Sequence, residues 1–123
     1  MIKVAVAGCC GRMGSSIVNA VQNAEDLTLV CGIDPYANEV SYPVYSDIQE
    51  ALDHETFDVL VDFTQPNVVA QTLSITLPAG IDCVVGTTGL NDETCFTLYI
   101  NRRTSAGTGY IRNAFKPRSN ICV

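Results

Sequence analysis

Apolar residues in this chain come in short continuous runs that alternate with stretches of helical spacing. Residues 2–7 (IKVAVA) are β-branched and small, which suits a strand covered on both faces in a parallel sheet. From Met13 onward Ile17, Val18, Val21 and Ala24 recur at helical spacing. Residues 27–34 (LTLVCGID) predict a second strand that ends on an acid. The turn-rich stretch PYANEVSYP leads to a short strand around Val44 and Tyr45. Asp47 with Glu50 three residues later has the form of a capping box ahead of Ala51 and Leu52, so a brief helix starts there. Residues 57–63 (FDVLVDF) predict a fourth strand. Pro66 opens a helix that runs to about Leu77, where Pro78 and Gly80 stop it. Residues 81–86 (IDCVVG) give a fifth strand, after which Thr87, Thr88 and Gly89 turn the chain and Asn91 caps another helix. Strand and helix alternate throughout, the pattern of an α/β protein with a doubly wound parallel sheet.

Between the first strand and the first helix lie Gly8, Gly11 and Gly14, in GCCGRMG. Glycine there lets the chain turn tightly and lets backbone approach phosphate oxygens, while the helix start offers unpaired N–H groups and a positive dipole end. The arrangement predicts a diphosphate cradle and a Rossmann-like domain. Its spacing of three and three differs from the two and three of the common dinucleotide fingerprint. Asp34 lies 20 residues past Gly14 at the end of strand two, where a carboxylate can accept hydrogen bonds from both hydroxyls of an adenine ribose. The same residue also fits as a turn residue before Pro35. Arg12 sits inside the loop, where a cation opposes the helix dipole, and its fork of donors suits a diphosphate or a 2′-phosphate. Ligands of such sheets bind at the carboxyl ends of the strands, so VDFTQP and VVGTTGL, which leave strands four and five, complete the edge. Thr64 there doubles as a helix N-cap before Pro66.

Length and composition narrow the rest. With 123 residues, 47% apolar and 16% charged, the chain is globular and one domain long. A net charge of −6 argues against nucleic acid and against an anionic membrane surface as partners and leaves a small soluble molecule. No apolar run approaches the roughly 20 residues of a membrane span, and no signal peptide precedes the first strand, which together predict a cytoplasmic protein. The six cysteines, at 9, 10, 31, 83, 95 and 122, form no C-x-x-C pair and stand beside one histidine, so no metal site is expected. Cys9, Cys10, Cys31 and Cys83 read as small buried hydrophobes. The sole histidine, His54, reads as a solvated residue at the end of a short helix.

The set VAVAGCCGRMG, GID, VDFTQP and VVGTTGL, in this order and at these distances, resembles the amino-terminal nucleotide domain of the dihydrodipicolinate reductase family. The likeness covers residues 1–93, the span read as the dinucleotide-binding domain. By resemblance, the diphosphate region of the cofactor falls on Gly8, Gly11, Arg12, Met13 and Gly14, the ribose on Asp34, and the nicotinamide on Phe63, Thr64, Gly86, Thr87 and Thr88. The family uses NADH and NADPH; Asp34 is followed by Pro35 with no adjacent basic residue, so NADH is the preferred cofactor here. The resemblance implies a reductase acting on a cyclic intermediate of the diaminopimelate route to lysine, with a small-molecule substrate. The family's histidine-rich catalytic segment, its lysine and its serine-glycine-threonine clamp have no match, so no catalytic residue is assigned and the isolated chain is expected to be inactive. The family assembles chiefly through that unmatched lobe, so oligomeric state is not readable. Two other functions remain open from the sequence: a free-standing dinucleotide-binding module without catalysis, and the cofactor lobe of an aspartate- or homoserine-type dehydrogenase. Residues 94–123 hold five of the seven basic residues and none of the 13 acids. They read as a divergent basic segment, with truncation or a frameshift after Glu93 as its expected origin.

Overall fold

The structure, a computed structural model, describes residues 1–36, 39–86 and the strand at 111–113. The chain divides into two compact units, Met1–Phe63 and Thr64–Val123.

In the first unit, β1 (Ile2–Ala7) is followed by α1 (Arg12–Asn23), β2 (Leu27–Ile33), β3 (Val44–Tyr45), α2 (Ile48–His54) and β4 (Val59–Asp62). The strands lie in the order β3-β2-β1-β4, and every pairing is parallel. The uninterrupted apolar run of β1 has its cause here: paired on both sides, it buries Val4, Ala5, Val6 and Ala7 at 3% exposure or less. Pairing with β2 shifts register between Val4 and Ala5, so that Val4 faces Leu29 and Ala5 faces Cys31. This bulge re-phases the end of β2 where it meets the glycine loop. Helix α1 lays Gly14, Val18 and Val21, at helical spacing, on the sheet. Val18 and Val21 join Val4, Val6 and Cys9 in a core completed by Ile17, Leu27, Leu29, Tyr42, Val44 and Val61. Each fully buried valine or leucine contributes about 1.5–3 kcal/mol relative to exposure.

Strand order decides where a ligand can enter. From β1 the chain moves outward through β2 and β3, then returns to place β4 on the other side of β1. That reversal opens a crevice beyond the carboxyl end of β1, the general binding place of open α/β sheets. Phe63 N–H, donating to the Ala7 carbonyl at 3.0 Å, closes one side of it.

The second unit contains α3 (Pro66–Thr76), β5 (Asp82–Val85) and β6 (Ile111–Asn113), with β5 and β6 parallel. Pro66 stands in the first turn of α3, where its missing N–H costs nothing. Because Pro66 itself begins the helix, the N-cap position falls on Gln65, one residue beyond the Thr64 expected there. Val69, Leu73, Leu77, Ile81, Cys83 and Val85 are buried. Beyond the helix, Gly80 takes φ +80 and sends the chain into β5. The predicted strands and helices through Val85 are thus present: β1 has the predicted bounds, α1 starts one residue earlier, at Arg12, and β2, β4, α3 and β5 are shorter by one or two residues at an end. The helix expected after Asn91 lies outside the described residues, and β6 lies within the segment set apart as basic. No described helix is long and apolar enough to cross a membrane.

Candidate functional site

The three glycines of the first loop serve different ends. Gly8 leaves β1 at φ +77, a left-handed conformation that side chains with a Cβ disfavour. Gly14 is buried where α1 crosses the loop. A Cβ added there would land on the Gly8 carbonyl oxygen, 2.6 Å from its carbon and 2.9 Å from Cys9 Cα. Gly11, by contrast, has an ordinary φ of −75, and an added Cβ would stand 3.4 Å from the Gly8 oxygen, an unstrained contact. Among the described residues nothing requires glycine at Gly11, which is exposed and stands as the N-cap of α1.

That N-cap has no side chain to satisfy the helix start, and the first turn carries no acid. The opening N–H groups of Arg12, Met13 and Gly14 therefore lie where a helix has donors without intrahelical acceptors. Arg12 and Met13 are both exposed. The Ser15 hydroxyl donates to the Gly11 carbonyl at 2.7 Å and to that of Cys9 at 3.3 Å, which fixes the inner side of the turn.

Asp34 meets this loop directly. Its Oδ2 accepts from Cys10 N–H at 3.1 Å and its Oδ1 from Tyr36 N–H at 2.9 Å. The bond to Tyr36 is the turn role that the sequence left open before Pro35. The bond to Cys10 joins the end of β2 to the glycine loop across 24 residues of sequence. A carboxylate oxygen has two acceptor positions, so both oxygens retain capacity for ligand hydroxyls. Gly8 N–H adds a second tie, to the Ile33 carbonyl at 2.8 Å. Gly8, Gly11, Arg12, Met13, Gly14 and Asp34 are thereby brought to one edge, and Phe63 follows β4 in the same unit. Thr64 opens the second unit ahead of α3, and Gly86 is buried just after β5. Thr87 and Thr88 lie outside the described residues.

Three residues whose part is not evident from the sequence also shape this edge. Gly32 lies under Cys9: a Cβ there would collide with Cys9 Sγ and stand 3.0 Å from both Cys9 Cβ and Tyr42 Cε2. Tyr42 hydrogen-bonds the Cys9 sulfur, and burial above all pushes the Cys9 thiol up to about 11. Cys10 turns its sulfur to within 3.8 Å of Cys9 Sγ. The signal available in the sequence was the adjacent pair itself, which a search for C-x-x-C spacing misses. The expectation of no metal site therefore meets a cluster of three donor groups, Cys9, Cys10 and Asp34, assembled from two segments. His54 is exposed at the end of α2, its Nδ1 2.9 Å from the Glu50 carbonyl and its ring stacked on Tyr45 at 5.4 Å between centroids.

Comparisons with known proteins agree with the geometry. A profile of the family described as dihydrodipicolinate reductase, N-terminus, matches residues 2–102. The chain is 38% identical over 109 residues to the 4-hydroxy-tetrahydrodipicolinate reductase of Methanosphaera stadtmanae, covering 76% of this chain and 40% of that protein. It is 44% identical over 93 residues to the enzyme of the same name from Cutibacterium acnes, covering 76% and 33%. The chain thus spans between a third and two fifths of the length of these relatives. Among solved structures, a dipicolinate-bound dihydrodipicolinate reductase from Paenisporosarcina sp. TG-14 superposes with a TM-score of 0.73 at 28% identity, over 82% of this chain and 43% of that one. The WlbA dehydrogenase of Bordetella pertussis, solved with NADH and UDP-GlcNAcA, gives a TM-score of 0.74 at 17% identity, over 89% and 36%, and shows the shared Rossmann-like fold alone.

Proposed function

We propose, because this chain belongs to the dihydrodipicolinate reductase family through its N-terminal domain, that it is the cofactor-holding part of an NAD(P)H-dependent 4-hydroxy-tetrahydrodipicolinate reductase of the diaminopimelate route to lysine. One observation carries this reading: Asp34 Oδ2 bonded to Cys10 N–H, which sets a ribose-accepting carboxylate against a glycine loop and an uncapped helix start. The loop fits a dinucleotide on its own terms, since Gly11 is free of any internal steric demand and its outer face is open. Gly8, Gly11, Arg12, Met13 and Gly14 hold the diphosphate through backbone N–H groups and the Arg12 guanidinium. Asp34 accepts from the ribose hydroxyls. The family resemblance assigns the nicotinamide contacts to Phe63, Thr64, Gly86, Thr87 and Thr88, and the dinucleotide-binding body to residues 1–93, followed by the basic segment 94–123.

When bound, the cofactor supplies the hydride that reduces the substrate. The chain's own residues bind and orient it.

A carboxylate at Asp34 repels a 2′-phosphate, and Pro35 offers no compensating cation, so NADH is preferred and NADPH binds more weakly. Calorimetric titration of the purified chain with each cofactor tests this. NADH binding that weakens about tenfold or more in Asp34→Ala is the expected result, since hydrogen bonds to a charged group contribute about 1.5–3 kcal/mol. Absence of NADH binding by the folded chain overturns the cofactor reading, and equal or tighter NADPH binding overturns the preference.

A further inference from the structure

The adjacent cysteines of the glycine loop lie at the spacing of two thiolates on one metal ion. In a tetrahedral site with metal–sulfur bonds of about 2.3 Å, the two sulfurs stand about 3.8 Å apart. Cys9 Sγ and Cys10 Sγ stand 3.8 Å apart in the fold. Both sulfurs and a carboxylate oxygen of Asp34 lie within 4.8 Å of one another. The geometry points to a binding site for a thiophilic divalent cation, of the Zn²⁺ or Cd²⁺ class, ligated by Cys9, Cys10 and Asp34 with the fourth position left to solvent.

The surroundings support the ligand set. Cys9 occupies the space that the missing side chain of Gly32 leaves, and Tyr42 hydrogen-bonds its sulfur, an outer-shell contact of the kind that orients metal ligands. Asp34 is held by Cys10 N–H and Tyr36 N–H, so its carboxylate is oriented before a metal arrives. Cys10 is half-buried, which gives an ion a path in. Thiolate donors select soft or borderline ions over Mg²⁺ or Ca²⁺. Binding converts two thiols to thiolates, releases two protons and leaves one net negative charge on the ligated centre, next to the positive end of α1. No electron transfer is involved.

Asp34 is also the residue proposed to accept the ribose, so metal and dinucleotide compete. This second part rests on the function proposed above. Cadmium chloride, titrated into the reduced protein in a phosphine reductant and followed by thiolate-to-metal charge-transfer absorption, tests the site without any cofactor. One equivalent of Cd²⁺ is expected to saturate the band. Cys10→Ser should lower affinity about tenfold or more and Asp34→Asn should lower it too. The Cys95→Ser/Cys122→Ser double variant should leave the band unchanged. Circular dichroism verifies that each variant is folded. No band in the wild-type protein overturns the site, as does a Cys10→Ser variant with the band intensity and Cd²⁺ affinity of the parent, or a band that vanishes in the double variant. Saturating NADH should raise the apparent Cd²⁺ dissociation constant; Cd²⁺ affinity indifferent to NADH in protein that binds both overturns the shared role of Asp34. The metal-free NADH titration stands apart from all of these, so the loss of one reading leaves the other measurable.

Discussion

Gly11 and Gly14 look alike in the sequence, three residues apart in one turn, yet the structure separates their reasons for being glycine. Gly14→Ala drives a Cβ into the Gly8 carbonyl, and the backbone must move to relieve it. A loss of stability near the upper end of about 1–3 kcal/mol is expected, read as a lower midpoint in urea denaturation. Gly11→Ala meets no such obstacle. It should cost less than about 1 kcal/mol, the ordinary difference between these residues at an N-cap, while weakening NADH in the calorimeter because the methyl group occupies the face offered to phosphate. A Gly11→Ala protein that binds NADH as tightly as the parent would remove that face from the site. Spacing alone made the loop visible in the sequence, together with Asp34. It could not show which glycine holds the fold and which faces outward, since that depends on where the Gly8 carbonyl points. Gly32 was invisible for the same reason: its neighbours Cys9 and Tyr42 are distant in sequence.

Among the elements, α2 shows how far local chemistry can be read. The Asp47 carboxylate accepts from Glu50 N–H at 2.8 Å, as the capping-box spacing predicts. The return bond goes one residue further than the usual box: Glu50 Oε2 accepts from Ser46 N–H at 3.0 Å and from the Ser46 hydroxyl at 2.6 Å. Asp47→Ala should therefore destabilise the protein by about 1 kcal/mol, measured as a shift of the thermal or denaturant midpoint, with NADH affinity unchanged. An unchanged midpoint would mean that Ser46 and Glu50 secure the helix start by themselves. Caps and strand runs were legible because each is written in neighbouring residues. The bulge between Val4 and Ala5 was not, because it is a property of pairing between two strands that are far apart in the chain.

At the scale of the whole molecule, alternating strand and helix predicted the parallel sheet, and the net charge of −6 argued against a nucleic-acid partner. Buried thiols set a limit that composition did not reveal. Burial raises Cys9 to about 11 and Cys31 to about 12, from an ordinary value of 9.0. A raised folded value means that the unfolded chain loses its proton first. The stabilisation is complete below about pH 9 and is lost as pH climbs through about 11 and 12. Stability measured by urea denaturation should fall from about pH 9 upward, and Cys31→Ala should flatten that fall; a pH-independent midpoint across this range would contradict it. The stitching of the loop has a different consequence. Gly8 and Cys10 are tied to Ile33 and Asp34, and the end of β2 is itself held by β3 through Gly32 N–H to Pro43 and Asp34 N–H to Tyr45, both at 2.9 Å. Two residues of edge strand thus underwrite the shape of the mould. An anion arriving there finds its donors already ordered and loses little conformational entropy on binding, while any fraying of that edge lowers apparent affinity by the fraction of molecules in which it has opened.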